Sequence, residues 1–343
     1  MTDASAAISS PVPDPLEAPP LRWGILAAGS IAHQFARDVP RHSSGIIAAV
    51  GSRNLERAQA FADEFDGPRA YGSYEELVAD PEIDAIYIAS PQSEHRNHAI
   101  LALEAGKPIL MEKPFTRNAR EAREVFAVAE RKGLFVMEAM WSRFLPHYKA
   151  LADVIASGKI GEVTSVTAAH FQCFEGDPNH RLWNAELAGG ALLDLGVYPI
   201  SFIHALLGKP DSIHAFGALS ETGVDEFENV VLRYGERVTA VALSGMRQAS
   251  APNRAVVGGV EGSVEFGPWF FTPSNLSVST RSGESYEIPG EVPAGFQYQA
   301  AEVARCIDAG VTQSETMSWQ DTLEVMEIMD EVRAQLGVVF PGE

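Results

Sequence analysis

The strongest constraint on this chain is a regular alternation of short apolar runs with helix-period segments. The apolar runs are Leu21–Leu26, Ile46–Val50, Ile83–Ala89, Ile109–Met111 and Leu134–Met137. Between them lie a segment from Ser30 to about Val39 and a segment after Asn54 with Leu55, Ala58, Ala62 and Phe65 at helical spacing. His95–Ala105 follows, stopped by Gly106, and then Asn118–Lys132. Asn is a favoured N-cap because its side chain satisfies an orphan backbone N–H, and Gly past a helix end accepts the left-handed conformation. Strands alternating with helices of this length build βαβ units on a parallel sheet. Residues 21–140 are therefore expected to form a doubly wound, dinucleotide-binding domain of Rossmann type. Another flavodoxin-like sheet would give the same alternation.

Beyond Trp141 the period changes. Val163–Ala168, Asn229–Tyr234, Val238–Ser244, Arg254–Gly258 and Ser263–Phe266 alternate with period two between glycine-rich turns, the pattern of half-buried antiparallel strands. Helical stretches are expected at Phe144–Ser157, Ala191–Leu207, 296–309 and 318–336. Residues 141–343 thus read as an α+β domain with a large, open, mostly antiparallel sheet, giving an α/β chain of two domains. A one-sided sheet needs a cover, and a homodimer or homotetramer formed through that sheet supplies one.

Residues 1–20 are rich in Pro, Ala and Ser and read as a disordered tail. No Lys or Arg precedes Arg22, so this stretch lacks the positive start of a signal peptide. No apolar run reads as a membrane span. Only two cysteines occur, Cys173 and Cys306, which points to a reducing, cytoplasmic setting. The net charge of −20 repels phosphate backbones and anionic membranes, which argues against nucleic-acid and membrane partners and for a small-molecule ligand.

The dinucleotide fingerprint G-x-G-x-x-G falls on Ala27, Gly29 and Ala32, within the loop Ala28-Gly29-Ser30-Ile31. Only the middle glycine, which admits the pyrophosphate, is kept. A tight structural turn fits the loop as well as a cofactor turn does. At the end of the second strand, NAD enzymes place an acid for the ribose 2′-hydroxyl, and NADP enzymes an Arg for the 2′-phosphate. This chain has Ser52-Arg53 and no acid there, so NADP is favoured over NAD.

Two segments could carry chemistry. Glu112-Lys113-Pro114 follows a buried strand, where α/β sheets bind ligands, and a Lys there can stabilise an oxyanion. Asp194 and Tyr198 are four apart and share a helix face; Tyr, Lys and Asp on one alcohol would form a proton relay. A solvated loop lysine, a capping Asp194 and a core Tyr198 are the structural alternatives. His95 and His98 lack a Cys or acid cluster, so no metal site is expected.

Taken in order, R-W-G-I-L-A-A-G-S-I-A (22–32), Y-G-S-Y-E-E-L (71–77), S-P-Q-S-E-H (90–95), M-E-K-P (111–114), M-E-A-M-W-S-R-F (137–144) and G-G-A-L-L-D-L-G-V-Y-P (189–199) resemble the glucose–fructose oxidoreductase/inositol dehydrogenase (Gfo/Idh/MocA) family. The likeness runs from residue 21 to about 336. The Ala-Gly loop, Ser52-Arg53 and Tyr198 are similar to the branch of dimeric dihydrodiol dehydrogenases and NADP-dependent D-xylose dehydrogenases. Ala27 and Ala32, in place of the outer glycines, depart from the wider family.

The resemblance implies an NADP-dependent oxidoreductase acting on a sugar, polyol or vicinal diol. It implies Lys113 at the reacting oxygen and nicotinamide ribose, Tyr198 as general acid/base, and Asp194 positioning substrate and lysine. Ala28, Gly29, Ser30, Ile31, Ser52 and Arg53 would bind the cofactor; Ser90, Pro91, His95 and Glu112 would wall its site; Trp141 and Arg143 would lie over the nicotinamide. Trp141, Phe171, Arg181, Trp183 and Tyr198 would meet the substrate. Two rival functions exist in the family: an NAD-retaining glycosidase that oxidises, eliminates and re-reduces, and a non-enzymatic NADP-binding regulator.

Overall fold

A computed structural model describes residues 12–249 and 253–343 of the chain. They divide into two compact units, residues 13–141 with 293–326, and residues 142–292 with 327–343.

The first unit alternates β1 (Arg22–Leu26), α1 (Ser30–His42), β2 (Ile46–Gly51), α2 (Leu55–Glu64), β3 (Arg69–Tyr71), α3 (Tyr74–Ala79), β4 (Ala85–Ile88), α4 (His95–Glu104), β5 (Ile109–Met111), α5 (Ala119–Lys132) and β6 (Val136–Glu138). The six strands are parallel in the order β3-β2-β1-β4-β5-β6. This is the doubly wound sheet expected from the alternation, with its switch point between β1 and β4, where such sheets bind ligands. The caps are those read from the residues. Asn54 accepts from Arg57 N, Asn118 accepts from Glu121 N, and Gly133 ends α5 at φ 63°. Every residue of β4 and β5 is buried, as a sheet covered on both faces requires.

Two expectations change here. Residues 14–20 are ordered: Asp14 caps a 3₁₀ turn at Pro15–Glu17, Pro15, Ala18 and Leu21 are buried, and Arg305 donates to Asp14 O at 2.7 Å. Proline there limits the freedom of the free chain, and the small apolar side chains find a surface to cover. Residues 1–11 of the expected tail lie outside the described residues. The second change concerns residues 293–326, which were assigned to the second domain. They belong to the first unit, because α8 (Phe296–Asp308) turns its apolar face, Phe296, Ala300, Val303 and Ala304, inward, with Phe296 edge-on to Phe35 at 6.5 Å. Trp319, opening α9 (Trp319–Leu336), stacks on Phe126 and donates its indole N–H to Val136 O.

The second unit begins with α6 (Pro146–Ala156) and β7 (Val163–Phe171), continues through α7 (Val197–Leu207), and then runs β8 (Ser212–Leu219), β9 (Asp225–Tyr234), β10 (Val238–Gly245), β11 (Ala255–Gly259), β12 (Gly262–Phe266), β13 (Leu276–Thr280) and β14 (Ser285–Ile288). Its eight-stranded sheet has the order β14-β13-β12-β11-β7-β10-β9-β8 and is antiparallel except where β7 meets β10. α7 covers one face, over β7 and β10. An 18-residue window of the run Ala185–Leu207, unlike the sequence expectation, has the mean hydropathy (1.5) of a membrane span, but 83% of that window is buried within the protein.

His147 on α6 is buried, with Nε2 3.1 Å from Phe270 O, and burial pulls its pKa down to about 4. The unfolded chain therefore binds a proton that the folded chain refuses. Stability is complete above the ordinary histidine pKa and falls as pH drops toward 4, by about 3 kcal/mol in all. The melting temperature of the wild type should fall across this window, and His147→Gln should fall less steeply; parallel curves would remove His147 from the acid response.

Candidate functional site

At the carboxyl edge of the first unit, β1 is followed by Ala27, which adopts φ 81° and donates its N–H to Gly51 O at 3.0 Å. An alanine thus holds the left-handed turn that glycine usually makes, at a cost of roughly 1–2 kcal/mol. Gly29 is the N-cap of α1 and brings no side-chain hydrogen bond, and no acid lies in the first turn. A Cβ added at Gly29 would meet only Ala89 O, at 3.9 Å. Open space in front of a helix start with a positive dipole end suits a pyrophosphate, so the loop fits a dinucleotide. Ala28 and Ile31 beside it are half-buried and Ser30 is exposed.

Ser52 is buried at the end of β2, while Arg53 is exposed, its charge acting on the nearby Tyr74 hydroxyl. Tyr74 meets His98 edge-on at 4.8 Å, and His98 Nδ1 lies 2.8 Å from Ser90 Oγ. Ser90 is buried and Pro91 exposed at the end of β4. Arg53 thus stands at the end of β2 near Tyr74.

The Glu112–Phe115 turn is held from three sides. The buried Tyr87 hydroxyl donates to Glu112 Oε1 at 2.5 Å, and Glu112 Oε2 accepts from Lys113 N. Glu138, itself buried, accepts from Phe115 N and from the Thr322 hydroxyl, both at 3.1 Å. His95 sets one ring nitrogen 2.8 Å from Pro114 O and the other 2.9 Å from Ser90 O. Burial lowers its pKa. His95 was expected to wall the cofactor site. It is 1% exposed, and its ring braces two main-chain segments. Half-buried Lys113 projects from this fixed turn, and its bond to Pro114 is cis. Trp141 stacks on Phe296 with centroids 4.9 Å apart.

In the second unit the Asp194–Tyr198 spacing is realised on an altered helix. Leu192–Gly196 winds as a π-turn that leads into α7. Arg181 grips Asp194 with both nitrogens, at 3.0 and 3.2 Å, joining two residues that the sequence named separately. Tyr198 is buried, stacks on Phe271 at 4.5 Å, and meets His170 edge-on at 5.4 Å. His170 Nδ1 lies 3.2 Å from Leu195 O and its Nε2 3.0 Å from Gln172 Nε2. The Gln172 amide nitrogen only donates, so the imidazole carries its proton on Nδ1 and donates to the π-turn carbonyl.

Three further residues of the expected site are packed as follows. Phe171 lies one position past His170 and, by strand alternation, on the other face, where a Cβ at Gly245 would come within 3.2 Å of its ring. His170, not Phe171, is thus the β7 residue beside Tyr198. Arg143 is buried and donates to Ser201 Oγ and O, and it also meets His204 Nδ1 at 3.2 Å. The guanidinium anchors α7. Trp183 is 4% exposed. The sequence reading also missed Trp269, which is exposed at φ 64° and edge-on to Phe271 at 5.9 Å; a lone Trp in a Gly-Pro loop gave no signal. Among the described residues no group of three or more metal-ligating side chains occurs.

The comparisons agree with this architecture. Residues 21–140 match an oxidoreductase family with an NAD-binding Rossmann fold, and residues 148–265 match the GFO/IDH/MocA C-terminal domain. Trans-1,2-dihydrobenzene-1,2-diol dehydrogenase of Danio rerio is 37% identical over 334 residues, covering 93% of this chain and 98% of the relative. The enzyme of that name from Mus musculus is 37% identical over 337 residues, covering 94% and 99%. A 3-ketoreductase from Actinomadura kijaniata, solved with TDP-benzene and NADP, superposes with TM-score 0.78 at 27% identity, covering 92% of this chain and 98% of that one. An aldose-aldose oxidoreductase from Caulobacter crescentus, solved with glycerol, shares the fold with TM-score 0.84 at 22% identity, covering 93% and 98%. The chain belongs to the Gfo/Idh/MocA family of oxidoreductases with an NAD-binding Rossmann fold.

Proposed function

We propose that this enzyme transfers hydride between NADP(H) and a CH–OH carbon of a sugar, polyol or vicinal diol. The observation that carries this reading is the Glu112–Phe115 turn, braced by Tyr87, Glu138 and His95 so that Lys113 has a fixed origin at the carboxyl edge of the sheet. The diol dehydrogenase name of the relatives and the NADP bound by the 3-ketoreductase favour the same substrate class and cofactor. Bound NADP(H) supplies the hydride acceptor or donor. Tyr198 takes the hydroxyl proton in oxidation and returns it in reduction. Lys113 stabilises the charge that develops on oxygen. Asp194, oriented by Arg181, holds a second hydroxyl. An acid-to-amide change at Asp194 should therefore raise KM more than it lowers kcat.

Arg53, exposed at the end of β2, reads the 2′-phosphate. Arg53→Ala should raise the Kd for NADPH by about tenfold or more and leave that for NADH nearly unchanged, since a charge-assisted pair contributes about 1.5–3 kcal/mol. Equal weakening of both, by fluorescence titration, would contradict the assignment.

The face of the large sheet opposite α7 exposes Phe216, Phe227 and Val256. A second copy of this chain is the proposed cover, giving a homodimer or homotetramer whose mass in solution light scattering can measure.

A further inference from the structure

The helix carrying Asp194 and Tyr198 starts above two buried acids that no step so far uses. Asp225 and Glu228 lie on β9, three residues apart, and a regular strand would send them to opposite faces. A register shift prevents this. Leu219 pairs with Asp225 and Ala218 with Phe227, so Glu226 is the extra residue of a bulge and both acids face α7. Each is 1% exposed.

Backbone fit ties them to the turn. Asp225 Oδ2 accepts from Leu192 N at 2.6 Å, the first residue of the π-turn. A Cβ at Gly190, whose φ is 121°, would lie 2.2 Å from Asp225 Oδ1. A Cβ at Gly196 would lie 2.6 Å from Glu228 Oε1. The glycines at both ends of G-G-A-L-L-D-L-G thus let the main chain rest on the two carboxyl groups. Ser244 donates to Glu228 Oε1. The oxygens left, Asp225 Oδ1 and Glu228 Oε2, face no N–H or O–H donor among the described residues. Two carboxylates in that position would repel each other, whereas a carboxyl and a carboxylate satisfy one another.

We propose that Asp225 and Glu228 share one proton beneath the π-turn and so position the segment that carries Asp194 and Tyr198. The proton sits on Glu228, which donates to the Asp225 carboxylate; Asp225 in turn holds Leu192 N. Burial and the adjacent Asp225 push the Glu228 pKa well up, and the Glu228 hydrogen bond opposes the rise that burial gives Asp225. Other groups facing the pair are few. Arg333 on α9 attracts Asp225 while itself paired to Glu343, with Asp330 at 3.8 Å. Glu226, in the bulge, is paired with Arg247. Because the folded pKa of Glu228 is raised, the pair stabilises the fold fully at acid pH and less as pH rises past the ordinary carboxyl value.

This inference rests on the assignment of Asp194 and Tyr198 to the reaction, so its test has readouts independent of turnover. Infrared spectra of the wild type at neutral pH should show a protonated-carboxyl C=O stretch that is missing in Glu228→Gln. That variant should keep kcat within about threefold, because its amide donates as the shared proton did. It should also gain stability over the wild type as pH rises. Asp225→Leu should lower kcat by about tenfold or more with the Kd for NADPH unchanged, and should speed exchange of the Leu192 amide. If Asp225→Leu does not fold, the infrared band and the Glu228→Gln stability profile decide. Absence of the band, its persistence in Glu228→Gln, or a folded Asp225→Leu with protected Leu192 would overturn the proposal. A wild type that shows the band and the amide protection but turns over no substrate would instead count against the reaction assignment.

Discussion

Tyr198→Phe is expected to lower kcat by about 10²–10⁴-fold while leaving the Kd for NADPH within about twofold, the loss ordinary for removing a general acid–base group. The phenyl ring keeps the stack on Phe271 and the edge contact with His170, so only the hydroxyl is lost. Melting temperature should hardly move. Pre-steady-state measurement separates the effect: hydride transfer itself should slow, and substrate binding should not. A variant with wild-type turnover would place the proton on another group and reduce Tyr198 to a core residue.

Lys113→Met should be nearly as severe, with kcat down by about 10²–10³-fold, the usual size of losing one donor aimed at a developing oxyanion. The substitution keeps the length and apolar stem of the side chain. It should leave the turn intact, because Glu112, Glu138 and His95 hold that turn through main-chain atoms at Lys113, Phe115 and Pro114. The kcat loss should therefore come without a loss of fold, as judged by circular dichroism. Exogenous amines should restore part of the rate if the ammonium charge is what matters. A Lys113→Met enzyme with only a raised KM for substrate would make the lysine a binding group and no more.

How far residues alone reach is clear from these elements. The parallel sheet was legible because β1, β2, β4, β5 and β6 are apolar runs separated by capped helices. β3 was not, since three residues, Arg69-Ala70-Tyr71, carry no period. Lys113, Asp194 and Tyr198 stood out by residue type and position. The Arg181–Asp194 pair did not, because a loop of irregular turns separates them. His170 and Phe171 were exchanged because choosing between neighbours on a strand needs to know which face α7 covers, a tertiary fact. The bulge at Glu226 hid the acid pair in the same way: simple alternation puts Asp225 and Glu228 on opposite sides. Residues 14–20 looked disordered by composition, yet a few small apolar side chains and one capping Asp14 sufficed to seat them.

Hydride is expected to move between NADP(H) and an alcohol carbon with Tyr198 and Lys113 in attendance. The most direct measurement is NADPH formation by the purified protein across aldoses, inositols and vicinal dihydrodiols, with NADP⁺ and NAD⁺ in parallel. The expected result is turnover of at least one of these compounds, faster with NADP⁺, and lowered by about 10²-fold or more in Tyr198→Phe and Lys113→Met. Binding of NADPH without turnover of any compound in either direction would contradict it.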